Sequence, residues 1–528
     1  MNFKRLPNLF RNKQRMIVAF FINVFLIFGS DKLMNIYFSN VPCLAAADFG
    51  NNNWIAIPAF VLGTLLIVIS IASQSLIKLI DLFMEDWVSL LFVWFIILAA
   101  THYILIYGHS SASMFLNIDV FLVVSIILTF PYVFYILRLT KPDVIISNIE
   151  TNLQKNIDKL VRIKSKNKVM TTSDITEFQL LLFSSLNQLD DLINNFHFKE
   201  TKALILSKFR KILEYYLLRK ALLPRDIFSV TEAMKTDISF RTMFEFLKDE
   251  QEYVYFFEKK CLRIMNNVYT TMLENNQFDM ASLTMSEIVL ITSHFSEKNI
   301  DIDDNILDLI LVHFNTFFRY AFKHAIKQNE QRNLYNLVYH YRLLVENFVK
   351  SKNQELLLKS FFYFQYYGNE CYKQAKQANL FFIVDTIAFE MKQILVAVFE
   401  HSVDRDAQKK MLVYFLKVDN PPEFLSDSKD KEEVIASKVR LIQISLGLFY
   451  LQQGEQEFVD MIIEDILEDV KFLGVEPFRK LIERMFSMLE TSGSSFWEDT
   501  DRGNINIYFT AHKEMLEIFK ADLFSRIS

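Results

Sequence analysis

The sequence predicts an all-α membrane protein, with a four-helix transmembrane module followed by a large cytoplasmic α-helical domain of the solenoid type. Four long apolar stretches lie within the first 140 of 528 residues, and nothing comparable follows them. The whole chain contains only 10 glycines and 9 prolines. Its second part also lacks the sustained alternation of apolar and polar residues that a sheet requires.

Each apolar stretch is long enough to cross a bilayer core, which needs about 20 mostly apolar residues in a helix. We predict spans over residues 16–38, 54–72, 88–107 and 114–137. Trp54, Trp87, Tyr107 and Tyr135 lie near the predicted ends, where amphipathic rings favour the headgroup layer. Residues 1–140 therefore form the predicted transmembrane module.

Basic residues predict the orientation of these spans. Lysines and arginines cluster before the first span and after the fourth, whereas the outer side carries only Lys32, near the outer end of the first span. By the positive-inside rule we predict a multi-pass protein of the bacterial cytoplasmic (inner) membrane with both termini cytoplasmic.

The chain also begins like a signal peptide. Its apolar run stops near Gly29, however, too far from residues 44–47 (LAAA) for cleavage, so we predict an uncleaved first span.

The membrane module resembles an uncharacterised family of bacterial four-span membrane proteins. The stretch 69–76 (ISIASQSL), followed by Phe83, Asp86 and another span, is similar to an Ala-Ser-Ser-Gln-like motif that closes the second span in that family. The resemblance covers residues 59–149 and departs from the family at Ile77-Lys78, where Pro-Arg is usual. It implies the four-span topology and no activity.

We divide the soluble part into four segments. Residues 141–223 form a helical stalk or connector, 224–418 a helical-repeat domain, 419–433 an exposed linker with Pro421-Pro422, and 434–528 a C-terminal helical unit. Apolar residues recur at helical spacing from Val144 to Leu160. Ser173-Asp174 and Glu177 predict the start of the next helix, over residues 175–195.

An internal repeat supports the solenoid prediction. Phe318-Arg-Tyr320 matches Phe364-Gln-Tyr366, and the register continues from 334–338 to 380–384, an offset of about 46 residues that suits one antiparallel helix pair per repeat. An irregular helical bundle is the alternative. In the C-terminal unit, Gly447, Tyr450 and Gly454 resemble the first helix and turn of a tetratricopeptide repeat, which implies close packing of two helices around small residues.

No motif predicts an enzyme. The chain contains no glycine-rich phosphate loop, no His-Glu-x-x-His run, no paired Cys-x-x-Cys and no nucleophile elbow. His313 and His324 share a predicted helix without a carboxylate to complete a metal site. Cys43, Cys261 and Cys371 show no metal or redox spacing, and the net charge of −5 indicates no nucleic-acid footprint. We therefore predict no catalytic residue, metal, cofactor or nucleic-acid partner.

Polar residues inside the predicted spans are the first candidate site, since lipid makes them costly. His102, Asn117 and Asp119, with a helix kink at Pro131, are candidates for lining a pore or an intersubunit contact. The alternative is that His102 and Asp119, each near an outer end, simply reach the headgroups. Tyr363, Tyr366 and Tyr367 are candidates for binding a partner, although aromatic residues at this spacing are more often core.

These features favour an oligomeric, signal-responsive channel or membrane effector, with bacterial defence as one setting. Its partners would be membrane lipids, further copies of the chain and a cytoplasmic protein. The alternative is a membrane-anchored scaffold or receptor that recruits a protein through its helical repeats. A transporter is the poorest fit, because we find no inverted repeats and no charged residues at mid-membrane.

Overall fold

The computed structural model describes residues 6–37, 53–57, 59–61, 63–64, 86–106, 111–139, 141–196, 198–246, 252–298, 300, 302–374, 380–419, 438–495 and 505–527. Across these ranges the chain is helical, and β geometry is confined to two isolated bridges, Ser229 with Glu252 and Ser495 with Ile505. The all-α prediction is confirmed. The chain divides into two compact units, Met1–Leu153 with Ser184–Ile205, and Gln154–Phe183 with Leu206–Ser528. The finer domain boundaries stay predictions.

The first unit contains the apolar helices. They are α1 (Leu6–Tyr37), α2 (Trp87–Ile106), α3 (Ser111–Phe115), a π-helical stretch (Leu116–Leu122) and α4 (Val123–Leu139). Among the residues that the structure describes, three segments are long and apolar enough to cross a membrane, namely Gln14–Tyr37, Trp87–Ile106 and Ala112–Leu139. They correspond to the first, third and fourth predicted spans. Of the second, 54–72, the residues 65–72 lie outside the described part, as does the 69–76 motif.

The faces of these helices divide by polarity. On α1, Phe21 and Phe25 are 62% and 81% exposed, whereas Ala19 and Asn23 are buried. On α4, Phe134 is 71% exposed. Asn23 donates to the carbonyl of Leu91 over 3.1 Å and so joins α1 to α2. Large apolar side chains outside and polar ones inside are the arrangement expected of helices in lipid.

The next helices are α5 (Pro142–Ser165), α6 (Thr172–Asn195) and α7 (Lys199–Lys220). Helix α6 begins three residues earlier than predicted, because Thr171 is its cap. The Thr171 hydroxyl accepts from the Asp174 amide over 3.2 Å, and the Asp174 carboxylate accepts from the Thr171 amide over 3.1 Å. This reciprocal pair is a capping box in which aspartate replaces the usual glutamate.

The second unit continues with short and then long helices. They are a 3₁₀ turn (Arg225–Phe228), α8 (Glu232–Thr236), α9 (Arg241–Phe246), α10 (Phe256–Glu274), α11 (Phe278–Glu297), α12 (Asp304–Gln328), α13 (Arg332–Lys350), α14 (Gln354–Lys373), α15 (Phe381–Glu400), α16 (Arg405–Leu416), α17 (Val439–Gln452), α18 (Gln456–Leu467), α19 (Val470–Leu473), α20 (Val475–Thr491) and α21 (Leu516–Ser525). The predicted linker from residue 420 onward lies outside the described part.

The long helices pack as a repeat of antiparallel pairs in two layers. Helices α10, α12, α14 and α16 adjoin in sequence and form layer A, and α11, α13, α15 and α17 form layer B. The predicted repeat falls on equivalent helices, because Phe318 of α12 and Phe364 of α14 are both buried. Buried apolar residues at 334–338 and 380–384 likewise open α13 and α15. Repeat-like helical packing is thus confirmed, although the tetratricopeptide resemblance itself stays a prediction.

The turns within this array share one backbone device. Asn276, Asn329, Lys352, Ser402 and Gly454 each end a helix with a positive φ, between 52° and 77°. A single left-handed residue reverses the chain, so that backbone amides beyond the helix bond the carbonyls of its last turn, as the Gln277 amide does to Met272 over 2.8 Å. Glycine is the usual residue at such positions. Asparagine, lysine and serine take its place here, which explains how a chain with few glycines forms tight turns.

Gly447 is required by a close approach between α17 and α21. A Cβ atom at this position would collide with the ring of Phe519. Helix α21, which carries that ring, can therefore pack this closely only against a glycine. We expect Gly447→Ala to lower the free energy of unfolding by about 1–3 kcal/mol through overpacking. Urea unfolding of the full chain measures this. Phe519→Leu in the same background should recover part of the loss, whereas Gly493→Ala, whose nearest atom lies at 3.9 Å, should change little.

The segment that leads into α21 covers a buried carboxyl group on α15. Tyr508 donates to Asp385 over 2.8 Å, and Ile507 is 2% exposed. Burial raises the pKa of Asp385 to about 7, against the influence of Tyr508 and Lys438, while Asp419 adds to the rise. Asp385 therefore binds a proton more tightly in the folded chain than in the unfolded one.

This linkage predicts a pH dependence of stability. Because the folded pKa is raised, the proton held by Asp385 stabilises the folded state at low pH, and that contribution is lost as the pH rises from about 4 to about 7. Asp385→Asn should flatten the stability profile over this interval. The measurement is the urea midpoint of both proteins at several pH values, and parallel profiles would contradict the assignment.

Candidate functional site: a polar junction among the apolar helices

Two of the predicted site residues meet inside the first unit. His102 of α2 is 1% exposed, and Asn117 of the π-helical stretch is fully buried. The Asn117 amide nitrogen lies 3.0 Å from the imidazole Nδ1 and 3.0 Å from the carbonyl oxygen of Ala99. One amide group therefore bridges two polar atoms of α2.

Trp54 determines which way this amide points. Its indole Nε1 lies 2.7 Å from Asn117 Oδ1, and an indole N–H can only donate. The amide oxygen must therefore face Trp54 and the amide NH₂ must face His102. Since the NH₂ group donates, His102 Nδ1 accepts, and the proton of the neutral ring lies on Nε2.

The protonated nitrogen of His102 faces an acidic residue of α1. Nε2 lies 3.6 Å from the nearer Asp31 carboxylate oxygen, and Phe28 packs edge-on against the ring at 5.2 Å. That separation is too long for a hydrogen bond, but it is short enough for Asp31 to attract the ring once the ring is protonated. We call Asp31, Trp54, His102 and Asn117 the polar junction.

A second polar link joins α1 to α3. Asn35, one turn beyond Asp31, donates to the Ser113 hydroxyl over 2.8 Å. The π-helical stretch follows directly and carries Asn117 inward. A π-bulge adds a residue to a helical turn and is often found at functional sites. In this protein the π-helical stretch begins shortly after Ser113, which contacts α1, and it contains Asn117, which contacts α2.

The other two candidates are Asp119, two residues beyond Asn117 in the π-helical stretch, and Pro131 of α4. Asp119 is half-buried. Pro131 lies within α4 on an exposed face, and the helix continues through it. Two hydroxyls upstream bond back to the helix, with Thr129 donating to the Ser125 carbonyl over 2.6 Å. Pore lining by these residues stays a prediction.

Sequence reasoning missed two members of the junction. Asp31 is not among the predicted site residues, although it is an acidic residue inside a predicted span and is followed by Asn35 at helical spacing. Trp54 is predicted to lie in the headgroup layer, yet it is 4% exposed and bonded to Asn117. An intramembrane carboxylate was the signal that could have found the site.

The three tyrosine candidates on α14 have different surroundings. Tyr367 is buried, stacks on Phe318 at 3.7 Å and donates to the Asn315 carbonyl over 3.1 Å. Tyr363 is half-buried, and Tyr366 is 50% exposed. A partner would therefore meet Tyr366 first.

Comparisons with known proteins add little. No protein-family profile matches the chain, and no curated protein matches it. A solved structure described as a circular tandem repeat protein with novel repeat topology and enhanced subunit contact surfaces aligns with 84% of this chain and 99% of that chain, at 11% identity and a TM-score of 0.40. A likeness at this level carries no argument about fold or function.

Among the described residues, no group of three or more histidine, cysteine, aspartate or glutamate side chains could hold a metal ion.

Proposed function

We propose that this protein is an oligomeric, signal-responsive channel or effector of the bacterial inner membrane, with both termini cytoplasmic. In this proposal the apolar helices change the permeability of the membrane and the helical repeats receive the signal. The observation that supports it best is the polar junction. Ionisable side chains inside apolar helices are costly, face the interior and mark functional pathways more often than structural ones.

The chemistry of His102 provides two arrangements of the junction. The neutral ring accepts the Asn117 amide proton at Nδ1. A doubly protonated ring can only donate, so it loses this bond while its attraction to Asp31 increases. Because Asp31, His102 and Asn117 lie on three helical segments, a change at the ring alters how those segments are joined.

The size of the assembled particle tests this function. We expect full-length protein in nanodiscs to form a closed ring of about four or more subunits, since cyclic symmetry is the usual way to place identical helices around one axis. Mass photometry gives the subunit number. A monomer or a simple dimer would make a central pore untenable.

The alternative is a membrane-anchored scaffold that recruits a protein through its repeats. The two-layer helical array favours it, because stacked helix pairs present extended binding surfaces, and Tyr366 is exposed on one of them. Exchanging residues 1–140 for an unrelated membrane anchor separates the two functions. Recruitment by a scaffold would survive the exchange, and permeabilisation by an effector would not.

A further inference from the structure

Two neighbouring helices of layer A expose aromatic rings on one face. Tyr320 of α12 is 42% exposed, Phe362 of α14 is 48% exposed and Tyr366 is 50% exposed. Val312 and Val413, on α12 and α16, are also more than one-third exposed. Soluble surfaces rarely leave large apolar side chains grouped together unless they bind something.

Contacts across the helices make this one continuous surface. Lys359 of α14 pairs with Asp308 of α12, and Phe362 meets Tyr414 of α16 edge-on at 6.2 Å. Beneath the surface, Tyr367 stacks on Phe318. The register that these contacts establish places Phe362 and Tyr366 beside the middle of α12.

Positive charge accompanies these rings. Arg319, Lys323 and Lys327 are exposed along α12 at helical spacing, with no acidic residue on that helix after Asp308. Helices α12, α14 and α16 together carry eight basic and five acidic residues, whereas the whole chain has a net charge of −5. Glu370, the acidic residue nearest to Tyr366 along α14, pairs with Lys373 over 2.7 Å.

We propose that Arg319, Tyr320, Lys323, Lys327, Phe362 and Tyr366, the basic aromatic face, bind the surface of an anionic lipid bilayer. Basic side chains near such a surface contribute additively to binding, and tyrosine rings favour its headgroup layer. The apolar helices of membrane-spanning length in the same chain keep the concentration of lipid headgroups around it high. Single-stranded nucleic acid binds to similar arrangements of cations and aromatic rings, and adding single-stranded DNA to the labelled protein separates the two ligands.

The test uses the full chain in nanodiscs of two compositions, phosphatidylcholine alone and an equal mixture with phosphatidylglycerol. A fluorophore is attached at Thr316→Cys, a half-buried position between Val312 and Tyr320, in a Cys43→Ser background. Cys261 and Cys371 are fully buried and do not compete for the label. Spin-labelled lipid headgroups then quench the fluorophore only if the basic aromatic face contacts lipid.

We expect quenching in the phosphatidylglycerol discs that disappears in about 0.5 M NaCl, where charges are screened within a few ångströms. Replacing Arg319, Lys323 and Lys327 together by glutamine should abolish it, since each charge changes binding about fivefold. The control is Lys471→Gln, a 76% exposed cation outside the face. Circular dichroism shows that each variant is folded.

Three results would overturn the proposal. The first is that lipid headgroups quench the fluorophore in neither of the two compositions. The second is quenching that is equal in both compositions and insensitive to salt. The third is a fluorescence change that only added single-stranded DNA causes. The last would assign the face to nucleic acid instead.

Discussion

Replacing Arg440 with leucine is expected to destabilise the second unit by about 3–5 kcal/mol, because it leaves buried carboxylates without their cation. Arg440 is 6% exposed. Its guanidinium donates to both oxygens of Asp469 over 2.9 Å each and also pairs with Asp465, while Asp419 lies 3.9 Å away. These contacts join the start of α17 to the end of α18 and to Asp419, three residues beyond α16.

Urea unfolding of the full chain, with hydrogen exchange to locate the loss, measures this effect. Arg405→Leu is the matched control, because Arg405 also pairs with two carboxylates but on the surface, where ion pairs contribute little. Burial already raises the pKa of Asp465 to about 6. Without Arg440, Asp465 should retain its proton to still higher pH, so the loss of stability should shrink as the pH falls toward 5. An equal loss in the two variants, or one independent of pH, would contradict this explanation.

Asn117→Leu is expected to have the second-largest effect, a loss of about 2–4 kcal/mol in the stability of the apolar helices. The substitution preserves size but removes the acceptor of Trp54 and the donor to His102 and Ala99 at once. The indole N–H of Trp54 and Nδ1 of His102 then lose these partners in an apolar interior, where an unmade hydrogen bond costs more than a made one contributes.

Thermal unfolding in nanodiscs provides the measurement, and Thr101→Val the control. Thr101 is exposed on α2, the helix that carries His102, and its hydroxyl donates to the Ile97 carbonyl of that helix over 2.8 Å. Asn117→Asp separates the two halves of the amide, because it keeps the acceptor for Trp54 and places a carboxylate beside Nδ1 of His102. It should therefore favour protonated His102. A wild-type melting temperature for Asn117→Leu would show that the polar junction does not join the helices.

Much of the fold could be predicted from local pattern. Apolar runs of membrane-spanning length and a repeat spaced by one helix pair are both local properties. The described part of the chain contains three helices of that length, and Phe318 and Phe364 pack equivalently. The predicted start of α6 was wrong by three residues. The helix is capped by Thr171, which lies outside the motif from which its start is predicted.

The candidate site could be predicted only in part, because its geometry is long-range. His102 and Asn117 are recognisable in the sequence as polar residues in apolar runs. Their contact depends on the π-helical stretch, however, and residue spacing does not predict such a stretch. Trp54 fits a headgroup position by its place in the chain, and only packing brings its N–H to Asn117. The role of Gly447 likewise depends on Phe519, about 70 residues away, so no local rule could supply it.

Potassium efflux from liposomes reconstituted with the full chain tests the central claim most directly. If the apolar helices change membrane permeability through the polar junction, wild-type protein should release potassium, and the rate should depend on pH across the titration range of histidine. His102→Gln should remove that pH dependence, while Thr101→Val should behave as wild type. Liposomes that stay tight at every pH and protein density, with the protein shown to be inserted, would contradict the account and leave the scaffold as the better description.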